Sequence, residues 1–214
     1  MPRGGAPPLS ELALLGAGSL LALSGIGRAA AAAAAQALVD SGVSALMTFG
    51  MAGGLDPALK PGSVVIPCEV LTTDGVRYAV CRSWRERVAA ALSPLCAVSE
   101  GNLLTSPRAI DTPAEKAAAL RGTGAAAVDM ESAAVAEVAA KHNLPFIAVR
   151  VIVDTAADFL PRAVVEASRA GRVHVGRLIG GLILKPQEIA ALLRLAQRHR
   201  IAMRCLRAIG AHLA

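Results

Sequence analysis

Short apolar runs alternate along this chain with longer, alanine-rich stretches. Leu20–Leu23 is such a run, closed by Ser24-Gly25-Ile26-Gly27. The residues from Arg28 to Asp40 follow with the composition of a helix, alanine being the best helix former. Ala45–Phe49 reads as a second buried strand, ending in a glycine-rich loop, Gly50-Met51-Ala52-Gly53-Gly54. Turn signals at Asp56-Pro57 and Lys60-Pro61-Gly62 precede a strand over Ser63–Pro67, and Thr73-Asp74-Gly75 turns into Val76–Val80 as a hairpin. The pattern then predicts a helix over Ser83–Leu92 and a strand over Leu103–Thr105. A further helix opens at Thr112-Pro113 with Glu115 in its first turn, and another runs from Asp129 to about His142, ended by Asn143-Leu144-Pro145.

The most persuasive strand is Phe146–Val153, almost wholly apolar, with Asp154 at its end. Runs of this kind are buried on both faces, as central strands of an α/β sheet are. Two or three helices follow, the last from about Gln187 to Leu213. Alternation of this sort predicts an α/β fold, and with no internal repeat and no long linker, residues 1–214 form a single domain.

Composition narrows the classes. Hydrophobic residues make up 54% of the 214, which excludes disorder. No apolar stretch of spanning length is unbroken, so no transmembrane helix is expected. The N-terminal run after Arg3 resembles a signal peptide faintly, but Glu11 interrupts it and no cleavage site follows. The four cysteines form no C-x-x-C pair and share no ligand spacing with the four histidines, so reduced cytoplasmic thiols are expected, with no metal and no cofactor. The net charge of +6 is concentrated: from Pro161 onward ten Arg or Lys face two Glu, leaving the first 160 residues slightly negative. Few aromatic residues accompany that basic region, which speaks against nucleic acid as a partner.

Candidate chemistry lies where strands end, since open α/β sheets place ligands there. Gly25-Ile26-Gly27-Arg28 is a glycine turn opening a helix; its N–H groups could cradle an anion with help from Arg28, or form an ordinary connection. The Gly50–Gly54 segment permits close approach by a ligand, or a tight turn without one. Asp154 is either a cap or a site carboxylate. Arg150, inside an apolar strand, needs a buried partner, for which Asp129 and Glu131 are the candidates.

These segments together resemble the nucleoside phosphorylase superfamily. Ser24-Gly25-Ile26-Gly27, Phe49-Gly50-Met51-Ala52-Gly53-Gly54-Leu55 and Leu59-Lys60-Pro61-Gly62-Ser63-Val64-Val65 form one signature. The residues from Val128 to Ala134, followed by those from Pro145 to Asp154, resemble the second. The pattern is similar to that of the methylthioadenosine and adenosylhomocysteine nucleosidases. It is most like the hopanoid-associated phosphorylases in Gly75-Val76-Arg77-Tyr78-Ala79-Val80, Trp84-Arg85 and Phe159-Leu160-Pro161. The resemblance implies a three-layer fold with a central mixed, mostly parallel sheet flanked by helices, and cleavage of an N-glycosidic bond with release of adenine. It implies that Asp154 protonates the departing purine at N7 and that Glu131 binds the ribose hydroxyls, with Met130 against the sugar. Gly50, Met51, Ala52 and Gly53 then lie near the ribose and nucleophile, and Ser106 and Ile110 near the substrate. Phosphate is the one co-substrate left open, with Arg28 and Gly27 as its ligands. Glycosidic cleavage passes through an oxocarbenium-like state that a carboxylate steadies, and a purine leaves more easily when protonated.

The chain departs from the family at several places. Before Leu20 no counterpart of the family's first strand and loop, which supply a water-activating Glu or phosphate ligands, is recognisable, and the start reads as truncated or misassigned. Met51 replaces a small hydroxyl residue, Thr48 stands where purine phosphorylases can have a phosphate-binding Arg, and Ala109 or Ile110 falls where an aromatic ring stacks on the base. In the C-terminal helix Leu192, Leu195, Met203, Leu206, Ile209 and Leu213 share one arc of about 120°, with Arg194, Arg198, Arg200, Arg204 and Arg207 on the remaining side. This basic amphipathic helix either packs on its own domain or contacts the inner membrane face peripherally. The leading expectation is a homodimeric cytoplasmic enzyme releasing adenine from a lipid-linked nucleoside, adenosylhopane. The alternatives are a nucleosidase for methylthioadenosine or adenosylhomocysteine acting on the free small molecule, and a non-catalytic nucleoside-binding protein.

Overall fold

The computed structural model describes residues 12–15, 18–160, 165 and 186–213. Strands β1 (Leu12–Leu15) and β2 (Ser19–Ala22) form an antiparallel hairpin apart from the main sheet. The main sheet has eight strands in the order β6-β5-β8-β9-β3-β10-β4-β7. These are β3 (Leu46–Gly54), β4 (Val64–Val65), β5 (Glu69–Thr72), β6 (Arg77–Ala79), β7 (Val98–Ser99), β8 (Asn102–Thr105), β9 (Ala125–Asp129) and β10 (Phe146–Asp154). The sheet is mixed: β5, β8 and β9 run parallel to their neighbours in that order, as do β3 with β10 and β4 with β7. β3 with β9, β10 with β4, and β5 with β6 are antiparallel.

Helices cover both faces. Along β10, Ala148 and Ile152 join the core cluster shared with α1 (Arg28–Asp40) and α4 (Ser132–Lys141), whereas Ile147, Val149 and Val151 join the cluster on the opposite face. That opposite cluster is closed by α2 (Arg82–Leu92) and by α5 (Pro186–Leu213). Burial on both sides explains the unbroken apolar run. The alanines of α1 and α4 have a steric use: Ala31, Ala34 and Ala35 are buried, as are Ala133, Ala134, Ala136 and Ala139. Small side chains let the two helices and the sheet approach closely. Helix α3 (Pro113–Thr123) starts as its sequence demands: Glu115 N–H donates to the Thr112 hydroxyl oxygen at 3.2 Å, and Gly124 closes it at φ 68°.

The segments at Gly50–Gly54 and at 125–129 differ from expectation. The glycine-rich run at Gly50–Gly54 is the second half of β3, not a loop; pairing with β10 on one side and β9 on the other holds it extended. Residues 125–129, alanine-rich and given no strand from sequence, form β9, with all five buried. Consequently α4 begins at Ser132 rather than at Asp129. The stripe on α5 lies inward: Ala202 and Ile209 are buried against β10's cluster and Leu206 is half-buried there. The side chains of Leu192 and Leu213, and the residues expected to be helical over 161–164 and 166–185, lie outside the described residues.

Gly50 serves the packing directly. A Cβ there would run into Arg150 Nη1, and Arg150 is tethered to Asp129, Ser132 and Thr48. Gly50→Ala is expected to cost about 1–3 kcal/mol of stability, the usual cost of overpacking, read as a lower urea midpoint. An unchanged midpoint would mean that the guanidinium gives way freely.

Candidate active site

A cavity of about 190 Å³ opens at the carboxyl ends of β3, β9 and β10. It gathers Met51, Ala52 and Gly53 from β3, Met130 and Glu131 from the turn after β9, Asp154 from the end of β10 and Ile110 from the loop before α3. Two larger cavities, of about 390 and 420 Å³, lie between α5 and the Lys60–Ser63 turn and between β6 and α4, and neither has a carboxylate in its lining. Among the described residues no group of three or more His, Cys, Asp or Glu could hold a metal ion.

Asp154 is 4% exposed, and Lys116, from α3, is 0% exposed. The Lys116 ammonium donates to Asp154 Oδ2, and again to the Thr155 carbonyl at 2.7 Å. Gly53 makes room on the other side: a Cβ there would stand 3.2 and 3.3 Å from the two Asp154 carboxylate oxygens. Burial pushes the Asp154 carboxyl above the ordinary carboxylate range, and it outweighs the pull of Lys116 in the opposite direction.

Glu131 sits between two backbone donors. Its Oε1 accepts from Gly27 N–H at 2.8 Å and its Oε2 from Met130 N–H at 3.2 Å. Burial raises its pKa too, against the lowering effect of the Gly27 bond. Beneath this rim, Asp129 is the partner that Arg150 requires, with Nη2 to Oδ2 at 2.8 Å. Asp129 also accepts from the Thr105 hydroxyl at 2.8 Å, the Ser132 hydroxyl at 2.5 Å and the Ser132 N–H at 3.1 Å. Thus Asp129 ties β9 to the start of α4 and fixes the turn that presents Met130 and Glu131.

The remaining expected residues fall elsewhere. Gly50 lies under Arg150 and does not line the cavity. Ser106 is buried, its hydroxyl donating to the Arg108 carbonyl at 2.7 Å, so it shapes the loop that carries Ile110. Arg28 points away from the cavity and pairs with Glu137 at 2.5 Å. Gly27 N–H, offered by the sequence as an anion donor, is already given to Glu131. Lys116 is a site neighbour that sequence reasoning misses; its one signal is a cation placed one turn before Leu120, on the side of α3 that packs inward. Leu160 joins the cavity because its N–H donates to the Asp111 carbonyl at 2.9 Å, folding the segment after β10 across the opening.

The family model of the phosphorylase superfamily matches residues 14–183, and the chain belongs to that superfamily. It is therefore an enzyme of the nucleoside phosphorylase or N-glycosyl hydrolase kind. It is 29% identical over 189 residues to the 5′-methylthioadenosine/S-adenosylhomocysteine nucleosidase of Colwellia psychrerythraea, covering 77% of this chain and 78% of that protein. It is 31% identical over 163 residues to the enzyme of the same description from Bacillus cytotoxicus, covering 67% of this chain and 71% of that one. The fold is shared with the crystal structure of the Neisseria meningitidis nucleosidase in complex with methylthio-immucillin-A. That likeness has a TM-score of 0.63 at 22% identity and spans 95% of this chain and 90% of the other.

Proposed function

We propose that this enzyme hydrolyses the N-glycosidic bond of a 5′-substituted adenine nucleoside of the methylthioadenosine or adenosylhomocysteine type, releasing adenine. The observation that carries the reading is one small cavity in which a protonatable carboxyl, Asp154, and a second carboxylate, Glu131, meet among apolar side chains. Asp154 donates its proton to the purine as the bond to the sugar breaks, so the base leaves neutral. Glu131 accepts from ribose hydroxyls and steadies the positive charge that develops on the sugar. Met130 and Met51 pack against the ribose, and Ile110 and Leu160 against the base. Relatives named as nucleosidases support this assignment.

Water is favoured over phosphate as the nucleophile. The N-terminus of α1, the natural anion cradle, already holds Glu131, and Arg28 holds Glu137. A phosphate dianion placed there would face a carboxylate rather than a free donor. The lipid-linked nucleoside expected from sequence draws no support from α5, whose apolar side is turned onto β10.

The test is adenine release from methylthioadenosine, from adenosylhomocysteine and from a detergent-dispersed lipid-linked adenosine, each with and without phosphate. Release from either of the first two, with the free sugar as co-product and no dependence on phosphate, is the expected result. A sugar 1-phosphate formed only with phosphate would overturn the hydrolytic reading. Turnover confined to the lipid-linked substrate would overturn the substrate class.

A further inference from the structure

We infer that Lys116 is a positioning residue for the acid: its ammonium holds Asp154 Oδ2 so that the proton resides on Oδ1, facing the base. The inference rests on the reaction proposed above. Lys116 is fully buried, and its ammonium is spent on Asp154 Oδ2 and the Thr155 carbonyl. Among the described residues neither Glu115, the preceding residue, nor any carboxylate besides Asp154 takes its charge; Glu115 is bound to Arg108 at 2.7 Å. The described residues make no hydrogen bond to Asp154 Oδ1, and Asp154 lines the cavity beside Gly53, where a Cβ would stand 3.3 Å from Oδ1 and 3.2 Å from Oδ2. A lysine excluded from water is costly to keep unless its charge has a use or a partner. Here the partner is the one carboxyl group placed to act as acid.

The step balances without moving a lysine proton. The Asp154 Oδ1–H bond breaks, an N–H bond forms on the purine, and the glycosidic electron pair goes to the base. Negative charge then develops on the Asp154 carboxylate, where the ammonium already lies against Oδ2, with no reorganisation needed. Burial favours the protonated acid while Lys116 favours the anion left after transfer, so the two together make an acid that both keeps and gives its proton. The other charged groups near Asp154 are Asp158, on the segment after β10, and Arg198, on α5. These two are paired with each other and act as a nearly neutral unit. Across the cavity stand Glu131 and the Asp129–Arg150 pair.

The experiment compares wild type with Lys116→Gln and Lys116→Arg in the full chain. Asp154 is followed by its ¹³C carboxyl resonance, and kinetics are read on methylthioadenosine and on nitrophenyl riboside, whose leaving group needs no proton. Without the ammonium, the Asp154 midpoint in Lys116→Gln is expected to rise by about one pH unit or more, the effect of losing an adjacent opposite charge. kcat on methylthioadenosine is expected to fall about 10–100-fold, with KM nearly unchanged and the basic limb of the profile displaced upward. Nitrophenyl riboside hydrolysis should change by less than about threefold, because no proton is delivered. Lys116→Arg should restore the wild-type midpoint and limb, and it tests the charge even if Lys116→Gln does not fold. An unmoved Asp154 midpoint in Lys116→Gln, an equal loss on both substrates, or a displaced limb in Lys116→Arg would each overturn the inference. Absence of adenine release by wild type would instead sink the proposed reaction, while the Asp154 titration would still decide what Lys116 does.

Discussion

Asp154→Asn is expected to lower kcat for adenine release by about 10²–10⁴-fold, the usual contribution of a positioned general acid, with little change in KM. Asparagine keeps the shape and can still accept from Lys116, but it carries no transferable proton. The pH dependence follows from the same carboxyl group. Burial raises its pKa, so kcat/KM of wild type should fall as pH rises through that elevated value, and the fall should vanish in the mutant. A mutant within about threefold of wild type would remove Asp154 from the chemistry.

The substitution also has a cost in stability that must be separated from the loss of activity. At pH above the elevated Asp154 pKa, where the wild-type carboxyl is an anion, the substitution leaves Lys116 a buried cation without a counter-ion, a defect of about 3–5 kcal/mol when one partner of a buried pair is lost. Asp154→Asn combined with Lys116→Met should recover much of that stability without recovering turnover, which a double-mutant cycle measures. The folded state holds the Asp154 and Glu131 protons more tightly than the unfolded chain does. Their contribution to stability is therefore full below the ordinary carboxylate pKa and is lost as pH rises through the elevated ones. Structural carboxylates behave oppositely. Arg108 and the Asp111 N–H hold Glu115 down to about 2. Asp158 is also held to about 2, where bonds from Arg198 and Thr155 overcome its burial. Stability from these two is present above the ordinary range and is lost only as pH falls toward 2.

How far the sequence discloses this site depends on what each residue's neighbours are. β10 is legible because both its faces are buried, which leaves a continuous apolar run ending in Asp154. The start of α3 is legible because capping is local, from Thr112 to Glu115. β9 is not, since Ala125–Ala127 favours helix by propensity and becomes strand only through pairing with β8 and β3. The glycines of β3 look like a loop because their use is to admit side chains from β10, Arg150 beside Gly50 and Asp154 beside Gly53. Met51, Met130, Glu131 and Asp154, which the family resemblance singles out, line one cavity. The choice between Asp129 and Glu131 as partner to Arg150 was open in one dimension, and the geometry of the turn gives it to Asp129. Lys116 is 38 residues from Asp154, and no local pattern announces that pairing.

Arg150→Met should destabilise the fold by about 3–5 kcal/mol, because it leaves Asp129 as a buried, uncompensated anion. Arg150 has 5% exposure and Asp129 6%, so water cannot take over. The guanidinium also donates to the Thr48 hydroxyl at 2.8 Å and to the Ser132 hydroxyl at 2.8 and 3.1 Å, groups that would lose a partner together. Methionine fills part of the volume, so the cost comes from charge rather than from a cavity. The combined Asp129→Asn/Arg150→Met variant should therefore lose less than the single one, the reverse of additivity. Urea unfolding decides this. A single variant destabilised by less than about 1 kcal/mol would show that Asp129 is satisfied by Thr105 and Ser132 alone. Should that variant fold under assay conditions, the loosened turn ought to appear as a raised KM, since Asp129 fixes the Met130–Glu131 rim from which the ribose is held.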